Sequence, residues 1–419
     1  MNKISNYLSN KSVKQFTGLF SANLLGLPLS FLTSIVITRY LGSQSYGDYK
    51  FFDSIFRIAI IICNFGFFNA CNRALVLNED KTKSREYYAV SLLIILILSI
   101  IMTLGLFVYS LYDSNIESKG LLKLFLCVLP FGFVYLINSS FEAMLHADNR
   151  IDLLAYIRFF PKIGYLLGGL IAMLWLNNVA FSKLLIVCYI FLFTQLIVYA
   201  YVIYKLSPKF RNIKERLNEI WQYNKSYGFD IYIGALFAVG FATLPDLLIS
   251  YFGIDNQGVG FYSLALMFAS PLAFIPSTIA TTKYREFSKL RNIPSKLIII
   301  TLVSSAFAMF GLWLFVPVFL DMCFEESFSP VANINYIVSF GVLMHGLADF
   351  FNRFLGAKGK GKLLRNSSFA VGISVLILNF ILVPMYGAIG AAYAKVLSGL
   401  TYLIIMLYCY KIVIRKVTE

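Results

Sequence analysis

Long stretches without a single charged side chain limit the folds that this chain can adopt. A membrane-spanning helix needs about 20 mainly apolar residues, because the hydrocarbon core is about 30 Å thick and a helix rises about 1.5 Å per residue. Seven segments meet this requirement with no charge: Phe16–Thr38, Tyr87–Tyr112, Leu124–Phe141, Leu184–Tyr204, Asn256–Thr282, Leu297–Leu320 and Ser327–Ala348.

Further segments meet it with one or a few charges, and Asn366–Met385 completes a set of twelve. The charged ones are Phe51–Val76, Leu153–Leu176, Phe229–Ile249 and Ala388–Tyr410. Only 14% of the residues are charged, against about 25% in a soluble domain. So few charges exclude a large soluble protein. We therefore predict an all-α integral membrane protein with 12 transmembrane helices.

The basic residues of the loops predict the orientation of these helices. The two termini and alternate loops hold 26 Lys and Arg residues, whereas the opposite loops hold five. Cytoplasmic loops carry the excess of positive charge. We therefore expect a multi-pass protein of the bacterial inner membrane with both termini in the cytoplasm. The same loops account for the net charge of +15, so nucleic acid is not an expected partner.

The chain also shows signs of an internal duplication. Segments Tyr40–Tyr49 and Tyr251–Tyr262 share a Tyr-x-Gly start and a later Gly before Tyr, and similar basic segments begin at Ala147 and Ala357. Both pairs have nearly the same separation in the sequence. Parallel repeats usually form two bundles around a central site. The prediction is two pseudo-repeated six-helix lobes around a central cavity, residues 1–204 for helices 1–6 and 228–419 for helices 7–12.

The segment between the lobes, residues 205–227, is basic, and its apolar residues have helical spacing. This pattern predicts an amphipathic helix on the cytoplasmic membrane surface. A solvated linker is the alternative.

Five cations lie within the predicted spans, where a charge costs at least about 2.5–3.5 kcal/mol unless it faces water or a partner. They are the candidate substrate-binding residues Arg57, Arg73, Arg158, Lys162 and Lys395. Arg158 and Lys162 share one helix face, and two adjacent cations favour a bound anion. Snorkelling to the headgroups is the alternative for Arg73, Arg158 and Lys162. An ion pair with Asp53, one turn earlier, is the alternative for Arg57.

Three acids are candidates for ion coupling: Glu142, Asp246 and Asp349. A buried carboxyl group holds a proton more readily than an exposed one. The alternative is that each acid neutralises a nearby cation, as the helical spacing of Asp349 and Arg353 would allow.

No sequence pattern indicates catalysis, a metal site or a cofactor. Two histidines, His146 and His345, are too few for a zinc cluster. The P-loop-like segment Gly356–Leu363 ends in Leu363, where Mg²⁺ binding requires Ser or Thr. We therefore expect a transporter rather than an enzyme.

Three motifs resemble those of a known family. Asn379–Tyr393, NFILVPMYGAIGAAY, resembles the signature N-x-x-L-I-P-x-Y-G-x-x-G-A-A of the Wzx-type polysaccharide biosynthesis and O-antigen flippases. These belong to the multidrug/oligosaccharidyl-lipid/polysaccharide superfamily. Arg39–Gly47 resembles that family's R-x-L-G-x-x-x-Y-G, and Asn64–Arg73 resembles its D-F-G-x-x-x-x-x-x-R. Asn64 replaces the common Asp, so no role of that carboxylate carries over.

The resemblance implies a substrate, an oligosaccharide linked through diphosphate to undecaprenol and flipped outward, as in lipopolysaccharide biosynthesis. It also implies, as partners, membrane lipids, a polysaccharide polymerase and a chain-length regulator. The diphosphate would explain the buried cations.

Two other functions are open to such a sequence. A drug exporter of the same superfamily would bind cationic substrates and need acids in its cavity, whereas cations exceed acids here. A membrane glycan polymerase or ligase would carry a long outer loop with catalytic residues, which the predicted topology lacks.

Overall fold

The computed structural model describes residues 11–78, 80–177, 179, 181–236 and 241–415. Within these residues the regular elements are helices. The first ten α-helices are α1 (Lys11–Cys63), α2 (Phe67–Val76), α3 (Lys81–Tyr112), α4 (Ser114–Ser118), α5 (Leu122–Val128), α6 (Phe133–Ala147), α7 (Ile151–Trp175), α8 (Lys183–Leu206), α9 (Ile213–Tyr223) and α10 (Phe229–Ala235). The remainder are α11 (Phe241–Phe252), α12 (Gln257–Ala269), α13 (Phe274–Thr282), α14 (Tyr284–Lys289), α15 (Ser295–Cys323), α16 (Pro330–Ala357) and α17 (Gly361–Arg415).

Many of these helices have the length and composition of membrane spans. Eight helices in the described residues are long and apolar enough to cross a membrane, and a ninth span results if the segments on either side of Gly132, bent by 42°, count as one. The chain is therefore an all-helical, multi-pass membrane protein. The number of twelve spans stays a prediction.

Two of the eight apolar helices are much longer than one membrane crossing. Leu25–Cys63 has 39 residues and Leu363–Arg415 has 53, whereas one crossing needs about 20. Each contains a glycine with non-helical dihedral angles, Gly42 (φ 72°, ψ 173°) and Gly387 (φ 57°, ψ −131°). Glycine adopts positive φ without a Cβ clash. Each long helix therefore consists of two segments that meet at a glycine, where the sequence predicts a loop.

The predicted continuous helix Phe51–Val76 is interrupted. α1 ends at Cys63 and α2 begins at Phe67, and Phe65 and Gly66 between them have positive φ values of 47° and 82°. The Asn64 side-chain oxygen accepts a hydrogen bond from the backbone N–H of Phe68 (3.2 Å). Asn64 thus satisfies one of the unpaired N–H groups at the start of α2. An amide oxygen performs this capping role without the carboxylate that is common in the family motif.

The described residues form two compact units. One comprises the residues up to Leu41 together with Ile55–Leu236, and the other comprises Gly42–Ser54 with the residues after Leu236. This division differs from the predicted lobe ranges, since α9 belongs to the N-terminal unit and Gly42–Ser54 to the C-terminal one. The lobe ranges stay a prediction.

The core of the N-terminal unit contains stacked aromatic rings. The Phe56 ring stacks on Phe125 and Tyr135, with centroid distances of 5.7 and 5.0 Å. Phe56 and Phe125 are almost completely buried. These contacts join α1 to α5 and α6, so they hold the bent α5–α6 pair against the first helix.

In the C-terminal unit, residues of the two segments that we predicted to be repeats are in contact. The Asn256 amide donates a hydrogen bond to the Asp48 carboxylate (2.8 Å) and accepts one from the Ser250 hydroxyl (2.6 Å). All three side chains are buried. The Asn256 carbonyl oxygen lies where a Cβ on Gly47 would be, at 2.0 Å from its position. Only glycine permits this approach of the two backbones.

Candidate functional sites

Arg158 and Glu142, predicted for different roles, form one ion pair. The Arg158 guanidinium on α7 donates from Nη2 (2.6 Å) and Nε (2.9 Å) to Oε1 of Glu142 on α6. The side chains are 33% and 44% exposed. A guanidinium has five N–H donors, so three remain for other acceptors. The pair is therefore accessible to an anion that could compete with Glu142.

Lys162 lies one turn beyond Arg158 on α7 and is half-buried. Its Nζ donates a hydrogen bond to the backbone carbonyl of Gly26 on α1 (3.2 Å). An ammonium group has three donors, so this contact leaves two for a ligand. The predicted pair of cations on one face of a helix is thus present, and Lys162 contacts α1 rather than extending freely toward the headgroups.

The two cations predicted in helix two, Arg57 and Arg73, lie on α1 and α2. Arg73 is exposed, and its guanidinium carbon lies 5.4 Å from the centroid of the Tyr227 ring. This cation–π contact joins the end of α2 to the turn after α9. Arg57 is exposed on the second segment of α1.

Lys395, on the last segment of α17, lines a small cavity inside the C-terminal unit. The cavity has a volume of about 230 Å³, and its polar lining comes from Tyr262, His345, Ser368, Asn379, Lys395, Ser398 and Tyr402. Ligand pockets are typically about 300–1,000 Å³. In this conformation the cavity is too small for an oligosaccharide, though it has room for a small polar group beside the ammonium.

Hydrogen bonds orient the groups around this cavity. His345 Nδ1 lies 3.0 Å from the Gly341 carbonyl oxygen, so that nitrogen carries the hydrogen. The Tyr402 hydroxyl accepts from the Asn352 amide (2.6 Å) and keeps its own proton as a donor. Asp246 follows Pro245, which lines the cavity from α11. Sequence reasoning named Lys395 and Asp246 as candidates, but it did not connect Tyr262, the last residue of a predicted repeat motif, or Tyr402 with this cavity.

Asp349 is neutralised by its neighbour on the same helix. Arg353 Nε donates to Asp349 Oδ2 (2.9 Å), and Arg353 Nη2 donates to the Ser277 hydroxyl (3.0 Å). This ion pair is the alternative interpretation of Asp349 given by its spacing. The ion-coupling role of Asp349 stays a prediction.

A third cluster of charges holds α9 against α3. The buried Arg216 guanidinium lies 3.3 Å from Glu86 and 2.6 Å from Glu219, and it also contacts Glu215. Glu219 accepts a hydrogen bond from the Tyr87 hydroxyl and lies 3.3 Å from Lys83 Nζ. The sequence predicted an amphipathic helix here but not that one of its basic residues is buried.

The charges in this cluster stabilise one another. Burial alone opposes ionisation of Glu219, but the hydrogen bonds from Tyr87 and Lys83 and the charge of Arg216 outweigh it, so the pKa of Glu219 is lowered. Burial likewise opposes the charge of Arg216, and its contacts with Tyr87 and Glu215 overcome this effect and raise its pKa. Both groups are therefore ionised at neutral pH.

Comparisons with known proteins agree with the sequence motifs. The family model for polysaccharide biosynthesis proteins matches residues 12–290. The capsular polysaccharide biosynthesis protein CapF of Staphylococcus aureus is 24% identical over 411 residues, which cover 95% of this chain and 99% of CapF. The probable low-salt glycan biosynthesis flippase Agl15 of Haloferax volcanii is 22% identical, with 93% of this chain and 81% of Agl15 covered.

Solved structures with the same fold are transporters. The lipid II flippase MurJ, in an inward closed conformation, has a TM-score of 0.71 at 16% identity, with 94% of this chain and 87% of MurJ covered. A multidrug resistance transporter of the MATE family, in an inward-facing conformation, has a TM-score of 0.66 at 13% identity, with 94% and 95% covered. At these identities the likeness shows the fold.

Proposed function

Because this chain belongs to the polysaccharide biosynthesis protein family, as its motifs predicted, we propose that it flips a lipid-linked oligosaccharide across a membrane. The substrate is an undecaprenyl-diphosphate-linked repeat unit, of O-antigen or a related glycan. It moves from the cytoplasmic to the outer leaflet of the bacterial inner membrane by alternating access. The observation that carries this proposal beyond the family is the pair of half-buried cations, Arg158 and Lys162, on one face of α7.

The ion pair of Arg158 suggests how the diphosphate is bound. A diphosphate oxygen takes the place of the Glu142 carboxylate at the guanidinium, since arginine binds phosphate and carboxylate with the same bidentate geometry. Lys162 adds a second positive charge one turn away. Glu142 loses its cationic partner in this exchange. Because Glu142 is also a candidate ion-coupling residue, substrate binding and ion coupling would share one side chain.

Other cations serve the substrate at other stages. Arg57, Arg73 and Lys395 bind the diphosphate or the sugar as the lobes rearrange around the central cavity, and Asp246 and Asp349 are further candidates for ion coupling. Twelve spans with both termini in the cytoplasm give the fold of this transporter. A polymerase and a chain-length regulator act on the flipped product.

The alternative is an ion-coupled multidrug exporter of the same superfamily. The structural likeness to a MATE transporter and the partly exposed carboxylate of Glu142 favour it. An exporter of cations would be weakened by loss of Glu142 and little affected by loss of Arg158.

The experiment uses a strain that lacks the gene and a plasmid copy of each variant. Arg158→Ala and Lys162→Ala should reduce surface glycan at least tenfold, because each removes a contact with the diphosphate worth more than about 1.4 kcal/mol. The control is Lys183→Ala. Lys183 lies at the start of α8, where its Nζ donates a hydrogen bond to Asn177, and its loss should leave surface glycan unchanged.

A charge-swapped variant separates binding from stability. Arg158→Glu with Glu142→Arg restores the ion pair but moves the cation from α7 to α6. Its melting temperature in detergent should stay near that of the wild type while surface glycan falls. The exporter would be supported instead if Arg158→Ala and the charge-swapped variant both kept the wild-type level of surface glycan while Glu142→Gln made the cells drug-sensitive.

A further inference from the structure

An open apolar groove lies between α9 and the helices α2 and α3 of the N-terminal unit. Its volume is about 870 Å³, at the upper end of the range for ligand pockets. We call it the linker groove, and it is lined by Phe67, Ile94, Ile97, Leu98, Lys214, Glu215, Leu217, Asn218 and Trp221.

The groove has a buried floor and an exposed wall. Ile94 and Leu98 of α3 are 5% and 4% exposed, whereas Ile97 is 58% exposed. The Trp221 ring stacks on Phe67, which also lines the groove, with a centroid distance of 5.8 Å. A continuous apolar surface of this shape suits a hydrocarbon chain.

Other contacts hold α9 in place. Arg216 and Ile220 are buried, Arg216 pairs with Glu86 of α3 (3.3 Å), and the Asn224 amide donates to the Phe65 carbonyl (3.1 Å). The Lys209 N–H donates to the Arg85 carbonyl (3.0 Å) just before the helix. Both ends of α9 are therefore fixed, and the helix cannot simply collapse onto Ile97.

Lysine side chains lie at the polar edge of the groove. Lys214 is exposed at this edge. Glu215 beside it contacts the Arg216 guanidinium, which also pairs with Glu86 and Glu219. Lys225 lies 5.3 Å above the Trp221 ring at the other end. An apolar channel with cations at its edge is complementary to a lipid that carries a phosphate, and Trp and Lys side chains mark the membrane interface.

We propose that the linker groove binds an anionic phospholipid of the cytoplasmic leaflet. One acyl chain lies along Ile97, Leu217 and Trp221, and the headgroup phosphate lies at Lys214. The bound lipid fastens α9 to the membrane surface. This inference uses the proposed cytoplasmic side of α9 but is independent of the proposed substrate.

The test is native mass spectrometry of the purified full-length protein with phosphatidylglycerol or phosphatidylcholine of identical acyl chains. The wild type should bind phosphatidylglycerol more tightly. Lys214→Glu should weaken it by roughly fivefold or more without affecting phosphatidylcholine. Ile97→Trp places an indole ring where the acyl chain would lie and should weaken the binding of both.

Two matched variants serve as controls. Ile101→Trp adds the same ring one turn further along α3, at a side chain that is 47% exposed and outside the groove. Lys296→Glu makes the same charge reversal at the exposed start of α15. Both should bind lipid like the wild type.

Unchanged binding in Ile97→Trp would overturn the site, and equal affinity for the two phospholipids would overturn the role of charge. Undecaprenyl diphosphate could instead displace phosphatidylglycerol at equal concentration in the wild type, with both ligands binding more weakly to Ile97→Trp. That result would show that the groove takes the substrate's tail. The two proposals can fail separately. If Arg158→Ala exports less glycan but binds phosphatidylglycerol normally, the lipid site is still supported.

Discussion

We expect Lys395 to lower the stability of the fold while it contributes to a binding site. Its side chain lines a small cavity within a membrane helix, where a charge is expensive. We predict that Lys395→Met, which keeps the volume and removes the charge, raises the melting temperature in detergent, with a gain of up to about 2.5 kcal/mol. The same variant should reduce surface glycan. A lower melting temperature would show that the ammonium stabilises the cavity.

The sequence identified candidate site residues where a charged side chain interrupts an apolar segment. Cations inside apolar segments stood out, and so did the acids. The partner of each could not be predicted, since the Glu142–Arg158 contact joins two helices whose relative register no local pattern specifies. The Asp349–Arg353 pair lies within one helix, and its spacing did indicate it. Asn64 acts as a helix cap, a role that only the break in the backbone reveals.

At the scale of elements, two glycines divide the longest helices. We predict that Gly387→Ala costs about 1–2 kcal/mol, because a Cβ at φ 57° strains the backbone, although no neighbouring atom would clash. The matched control is Gly311→Ala in α15, which also has open space around it but a helical backbone. Alanine should stabilise that position by about 0.5–1 kcal/mol. Equal melting temperatures for the two variants would contradict the strain at Gly387.

The docking of α9 should depend on pH. The pKa of Glu219 is lowered in the folded state from its ordinary value of 4.5, so its stabilising contribution is complete above about pH 4.5 and is lost as the pH falls through the lower folded value. The protection factors of the amides of residues 213–223, which compare the observed exchange rate with the intrinsic rate at each pH, should fall over that acidic range. In Glu219→Gln this fall should disappear, whereas Glu286→Gln on α14 should keep it.

At the scale of the molecule, the fold class and family followed from the sequence, because apolar length and basic loops are strong signals in a membrane protein. The relatives and the helical structure confirm both. The number of spans was harder to predict. Gly42 and Gly387 each separate two helical segments by one residue with non-helical dihedral angles, and the break after Cys63 divides a segment that is apolar throughout.

The predicted orientation can be tested with single cysteines in a cysteine-free variant. Cysteine at Lys296 should react with a membrane-impermeant thiol reagent only in inverted vesicles, since its loop is rich in Lys and Arg. Cysteine at Glu325 should react in intact cells. Both positions are exposed. Reaction of both from the same side would refute the topology.

The grouping of Gly42–Ser54 with the C-terminal unit has a consequence for biosynthesis. The buried amide of Asn256 needs the Asp48 carboxylate, which is made some two hundred residues earlier. A fragment that begins after α9 would lack this partner and leave a polar group unpaired in its core. The C-terminal unit is therefore complete only once that early segment packs against it. Two fragments cut in the linker should assemble only when they are synthesised together.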